Sequence, residues 1–223
     1  MTKLPRKALA VVFDMDGLLF DTETLYRDAM IAVAAEQAIE MPISFYMTLI
    51  GLSGEATSRA LKDRFGDEFD FEDYWRSASK RFHELAETRS YLKEGVVELL
   101  DALDSASIPR AIATSSSHRD VQRHLDTHGL LDRFGAVVAK GDYARGKPNP
   151  DPFLTAAERL GCPPESCLAL EDSHHGVRAA SSAGMMTIMV PDLLAATAEM
   201  EELCLCVAKD LHEVRSLMAL RPE

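Results

Sequence analysis

The clearest pattern in the chain is a series of short apolar runs, each stopping at a polar cluster. Residues 8–13 (ALAVVF) are continuously apolar and end abruptly at Asp14. A short run without polar alternation predicts a strand buried on both faces. Similar runs occur at 111–113, 136–139, 167–170 and 187–190, with a weaker one at 205–208. Helical stretches separate most of them. Strands alternating with helices predict a parallel sheet with helices on both sides, an α/β fold of three layers.

The helices have readable ends. Val96, Val97, Leu99, Leu100 and Leu103 mark an apolar face over 96–103. Ser117 and Asp120 have the spacing of a capping box ahead of a helix at 121–128. Asp151-Pro152 reads as an N-cap and a first-turn proline for a helix ending before Gly161. Ser173 is placed to cap a helix running to Ala183, with Gly184 just past its end. From about Leu18 to Ser90 the pattern changes. Helical segments are expected at 23–39, 55–65 and 71–87, with turns at 51–54 and 66–67, and no buried strand interrupts them. The single tryptophan, Trp75, lies in this stretch. The expected division is therefore a core of residues 1–17 and 91–223 and an inserted helical cap of residues 18–90.

In open parallel sheets ligands bind outside the carboxyl ends of the strands, so the residues following each run carry the chemistry. After the first stand Asp14 and Asp16, two apart and followed by Gly17, which permits a sharp turn. Alone, this pair reads equally well as an acidic turn. After the second stand Thr114, Ser115, Ser116 and Ser117, which suit either a phosphate or a helix cap. After the third comes Lys147, between Gly146 and Pro148 in a segment that cannot be helical. It is either an aimed ammonium or a solvated loop lysine. After the fourth comes a second acidic pair, Glu171 and Asp172. Two acidic pairs at two strand ends make a hard oxygen-donor site that favours Mg²⁺.

Composition narrows the classes. The 223 residues are 47% apolar and 27% charged, enough apolar material for a full core without staples. A net charge of −12 gives no basic footprint for nucleic acid. Cys162, Cys167, Cys204 and Cys206 form no CxxC pair and are read as thiols in a reducing compartment. The N-terminal apolar run is too short for a signal segment or a membrane span, so a cytoplasmic protein without membrane partners is expected. A monomer is the default expectation. His174 and His175 are placed at a helix start rather than on a metal, since imidazole suits softer ions.

Taken in order, the four clusters resemble the four motifs of the haloacid dehalogenase superfamily: DxD, a Thr or Ser, a Lys and an acidic pair. FDMDGLLFDTE, GKPNPD and LEDSHHGVRAASSAGM are similar to members with a helical cap inserted after the first motif. The resemblance covers roughly residues 8–215. It implies a Rossmann-like core and a Mg²⁺-dependent phosphatase acting on a small phosphorylated metabolite. Asp14 would be the nucleophile that becomes an aspartyl phosphate, and Asp16 the general acid and base. Lys147 would offset charge, and Thr114 with the Ser115 backbone would hold a phosphoryl oxygen. The metal would take Asp14, the backbone carbonyl of Asp16, and Asp172, with Glu171 bound directly or through water.

Within the family, β-phosphoglucomutase shares the cap and the first motif. Its pattern places a His where this chain has Tyr26, and a cap Arg where this chain has Gly54. Both departures weigh against a mutase, although Arg59 and Lys62 lie one or two turns further on. Asp16 and the acidic pair weigh against carbon–halogen chemistry. The presence of Asp14 and Lys147 weighs against a non-catalytic binding relative. From position alone, Tyr26, Tyr46, Met47, Leu52 and Ser53 are expected to line a substrate pocket.

Overall fold

The computed structural model describes residues 4–50, 54–88 and 91–219. The chain divides into two compact units, one of residues 1–20 and 92–223 and the other of residues 21–91.

The first unit is built on a six-stranded, wholly parallel sheet in the order β3-β2-β1-β4-β5-β6. The strands are β1 (Ala10–Phe13), β2 (Arg110–Ala113), β3 (Ala136–Val138), β4 (Cys167–Glu171), β5 (Met186–Met189) and β6 (Cys206–Val207). Every residue of β1, β2, β4 and β5 is buried, as continuous apolar runs require when both faces are covered. Ala10, Val12, Ala111, Ala113, Cys167 and Ala169 alternate along their strands and so share one face. They pack in one cluster with Phe153, Ala156 and Ala157 of α7 (Asp151–Leu160) and with Ala179 and Ala180 of α8 (His174–Ser182). Alanine dominates this layer, which lets the helices lie close on the sheet.

Three departures from the expected elements have local causes. β2 begins one residue early, at Arg110, a side chain that would not be expected inside. It is buried because its guanidinium is satisfied: it pairs with Asp104 and donates to the carbonyls of Arg133 (2.5 Å) and Leu100 (3.5 Å). Asp151 is the first residue of α7 rather than its cap; Pro150 precedes it, and the Asp151 carboxylate is taken by Arg145. β6 is confined to Cys206–Val207, the middle of the run expected at 205–208. All four cysteines are free thiols, and burial pushes those of Cys167 and Cys204 up to about 12.

The remaining helices of this unit are α5 (Val96–Ser105), α6 (His118–His128), α9 (Ala198–Leu203) and α10 (Leu211–Leu217). Ser117 caps α6 by accepting from the Asp120 N–H, and Ser173 caps α8 by accepting from Gly176 N–H. Gly161 and Gly184 follow α7 and α8 with positive φ, as C-terminal stops.

The second unit is helical: α1 (Thr22–Glu36), α2 (Ile43–Tyr46), α3 (Gly54–Phe65) and α4 (Phe71–Thr88). The short α2 starts after Pro42 and was not expected from periodicity, since a single turn is below what a 3.6-residue pattern can register. Leu25, Ala29, Met30, Val33 and Ala34 form the buried face of α1. The Tyr74 hydroxyl donates to the Met30 carbonyl at 2.6 Å and so ties α4 to α1. Among the described residues no helix is long and apolar enough to cross a membrane.

Candidate active site

The strand order reverses at β1: the chain builds outward through β2 and β3, then returns to place β4 on the other side. At such a switch point the connections leave in opposite directions and open a crevice at the strand ends. Asp14 follows β1 directly, Glu171 ends β4, Asp172 follows it, and Thr114 follows β2. The Asp14 N–H donates to the Leu170 carbonyl at 3.0 Å, which carries the sheet register one residue past β1.

Asp14, Glu171 and Asp172 form a group whose oxygens lie within 4.8 Å of one another. Glu171 is wholly buried; Asp14 and Asp172 are 7% and 9% exposed. Glu171 is held on both oxygens. Its Oε2 accepts from the N–H groups of Asp172 (3.1 Å) and Ser173 (3.2 Å) and from the Ser173 hydroxyl (3.1 Å). Its Oε1 receives Lys147 Nζ at 2.5 Å. Two glycines make the room. A Cβ on Gly176 would stand 1.8 Å from the Glu171 carboxylate, and one on Gly17 would stand 2.3 Å from Asp172 Oδ2. Gly17 also has φ +86°, a conformation other residues rarely adopt.

Lys147 is not a solvated loop lysine. Its side chain is 7% exposed, paired with both Asp14 and Glu171, and its Nζ lies 5.1 Å from the centroid of the Phe153 ring. Burial works against the ammonium, but the two carboxylates hold it charged well above the ordinary lysine range. One ammonium against several acids leaves an excess of negative charge. Burial raises the Asp14 carboxyl to about 8; Lys147 pulls it down, and Glu171 and Asp16 push it up. A divalent cation among these oxygens would favour the ionised form, so the hard, buried, over-acidic donor set fits such an ion.

Asp16 stands apart from the three-carboxylate group. Its Oδ2 accepts from the Ser116 hydroxyl at 2.6 Å and lies 3.4 Å from the Thr114 hydroxyl. Thr114 is buried and its oxygen accepts from the Ser116 N–H at 3.0 Å, while Ser115 is exposed. Tyr143 braces this corner by donating to the Thr114 carbonyl at 3.0 Å. Ser116 and Tyr143 were not singled out from sequence; within a serine run only the fold distinguishes one hydroxyl from its neighbours. His174 opens α8 with its Nε2 2.9 Å from the Ala195 carbonyl, and His175 is exposed.

A family model for haloacid dehalogenase-like hydrolases matches residues 11–190. The chain belongs to this family. Two relatives share most of their length with it. A phosphorylated carbohydrates phosphatase of Thermotoga maritima is 34% identical over 183 residues, 80% of this chain and 83% of that one. A Drosophila melanogaster protein named "Probable pseudouridine-5'-phosphatase" is 35% identical over 196 residues, 85% of this chain and 84% of that one. Among solved structures, a haloacid dehalogenase family hydrolase from Deinococcus radiodurans, with bound phosphate and sodium, superposes with a TM-score of 0.80 at 29% identity, covering 97% and 99% of the two chains. The haloacid dehalogenase-like fold is thus shared along nearly the whole chain.

The expected substrate-pocket residues are placed unevenly within the helical unit. Tyr26 is half-buried and stacked on Phe82 (4.2 Å between centroids), with Trp75 at 6.0 Å. Tyr46 is buried, its hydroxyl donating to the Glu23 carbonyl at 3.2 Å, and Met47 is half-buried. Leu52 and Ser53 lie outside the described residues. Arg59 and Lys62 are exposed on α3, and Arg59 pairs with Glu55 at 3.2 Å.

Proposed function

We propose that the protein is a Mg²⁺-dependent phosphatase of small phosphorylated metabolites, working through an aspartyl phosphate on Asp14. The observation that carries this reading is the buried contact between Asp14 and Lys147 at the β1–β4 switch point, beside Glu171 and Asp172. An Asp14 oxygen attacks phosphorus, and the bond from phosphorus to the ester oxygen breaks. Asp16 gives its proton to that leaving oxygen. Asp16 then takes a proton from a water that attacks the same phosphorus, which releases phosphate and frees Asp14. An anionic nucleophile approaching an anionic phosphoryl group needs positive charge nearby, and Lys147 supplies it from a fixed position. Thr114 and the Ser115 N–H hold a phosphoryl oxygen. Asp14, Asp172 and the Asp16 carbonyl would hold the cation, with Glu171 bound directly or through water; when bound, the ion offsets phosphoryl charge.

The Ser116 hydroxyl on Asp16 supports separate duties for the two aspartates, since it holds the Asp16 carboxylate apart from the three-carboxylate group. The names of the Thermotoga and Drosophila relatives support a phosphorylated sugar or nucleoside as substrate class. We place the protein in the cytoplasm as a monomer. The testing experiment is phosphate release from an aryl phosphate, with and without Mg²⁺, for wild type and Asp14→Asn. Turnover that needs Mg²⁺ and falls at least about 10³-fold in the variant is expected. Equal turnover by both proteins would remove Asp14 as the nucleophile. If neither turns over, a panel of sugar and nucleoside monophosphates follows, and silence there too would reject the phosphatase reading.

A further inference from the structure

Lys93 and Asp192 form an ion pair at 2.7 Å inside the first unit, joining the segment ahead of α5 to the turn after β5. The Asp192 side chain is only 8% exposed, which is unusual for a surface strap because burying a carboxylate costs more than an exposed pair returns. Its position gives the reason. Oδ1 takes the Lys93 ammonium. Oδ2 faces Gly17: it stands 3.3 Å from the point where a Cβ would lie, and Asp172 Oδ2 stands 2.3 Å from the same point. Two carboxylate oxygens from different loops therefore converge over one glycine, and one of them belongs to the cation group. The absence of a side chain at residue 17 is what allows both to approach.

We propose that Asp192 is the outer positioning carboxylate of the cation site, anchored by Lys93 and oriented to accept hydrogen bonds from water on a cation held at Asp172. This inference rests on the cation reading given above. Groups that hold a metal's ligands or waters from outside are tuned by placement, and their loss typically costs ten- to a hundredfold in metal affinity or activity.

The test uses the full chain and Mn²⁺ alone as the probe, with the dissociation constant read by calorimetry and by the Mn²⁺ electron-spin signal. Asp192→Asn and Lys93→Met both cut the ion pair, so they are expected to lower the melting temperature alike. Only Asp192→Asn removes the charge facing the cation. It is expected to weaken Mn²⁺ about tenfold or more and to raise the Mg²⁺ concentration for half-maximal activity by a similar factor, with kcat at saturating Mg²⁺ largely kept. Lys93→Met loosens the carboxylate but keeps its charge in place, and is expected to weaken Mn²⁺ clearly less than Asp192→Asn. Asp192→Glu, which keeps the charge, is expected to recover most of the affinity. An Asp192→Asn protein that binds Mn²⁺ within twofold of wild type would overturn the proposal, as would equal weakening by both variants, which would make the pair a strap only. A wild type that binds no Mn²⁺ would reject the cation reading itself, and this inference with it.

Discussion

Gly176→Ala is the substitution that interrogates the site most sharply without touching a reacting group. Alanine at this position in α8 should help the helix, by about 1 kcal/mol from propensity alone. The structure predicts the opposite outcome. The new methyl would stand 1.8 Å from Glu171 Cδ and Oε1 and 2.0 Å from Oε2. Glu171 is wholly buried and cannot swing into water. It must move within a pocket where three donors hold Oε2 and Lys147 holds Oε1. Hydrogen bonds to a charged group contribute about 1.5–3 kcal/mol each, so losing one or two outweighs the helix gain. The net expectation is a loss of about 3 kcal/mol, or roughly 6–12 °C in melting temperature for a chain of this length. Thermal unfolding followed by circular dichroism reads the first effect. Turnover below the melting range reads the second, because a displaced Glu171 releases Lys147 from its aim. A melting temperature equal to or above that of wild type would show that Glu171 does not pack on Gly176, and the account of why Lys147 is fixed would fail with it.

Other outcomes follow from the same geometry. Because burial raises the Asp14 carboxyl to about 8, a proton competes with the cation below that pH. Apparent Mg²⁺ affinity in a titration should rise by up to about tenfold per pH unit from pH 6 to 7 and level off above 8; a flat profile would refute the competition. Lys147→Met leaves Asp14 and Glu171 without their shared cation and should abolish turnover, while Mn²⁺ still binds by calorimetry; retained turnover would remove Lys147 from the chemistry. Tyr74→Phe removes a buried hydroxyl bonded to the Met30 carbonyl and should lower stability by about 1 kcal/mol in urea unfolding, without changing kcat.

The elements legible in the sequence were those whose cause is local. Runs such as AVVF and CLAL are strands because nothing polar interrupts them, and Ser117 and Ser173 announce helices because a cap is decided by neighbours three residues on. Arg110 escaped because its burial depends on Asp104 and on carbonyls of Leu100 and Arg133, partners that only the folded chain assembles. The site divides in the same way. Asp14, Glu171 and Asp172 are marked by standing at strand ends and Lys147 by its place between Gly146 and Pro148, and the fold brings them together. Ser116 is one hydroxyl in a run of three serines, and its bond to Asp16 spans 100 positions of sequence. Asp192 lies in an unremarkable turn whose partner Lys93 is 99 positions away. Gly176 carries no mark in the sequence, because its role depends on the carboxylate packed against it in the fold.

The way the chain leaves and re-enters the sheet unit has a consequence of its own. The Lys93 N–H donates to the Leu19 carbonyl at 3.0 Å, Phe20 and Leu92 form an antiparallel bridge, and the Asp21 N–H donates to the Tyr91 carbonyl at 2.7 Å. The outgoing and returning strands of the insertion are therefore zipped to each other at the point of departure. To the sheet, everything beyond that zipper is a closed loop whose length hardly matters, since doubling a loop costs only about 0.6 kcal/mol in closure entropy. Changes of length past the bridge are therefore expected to leave the register of β1 and the start of α5 in place. The fold thus separates what must stay fixed for phosphoryl chemistry from what is free to diversify.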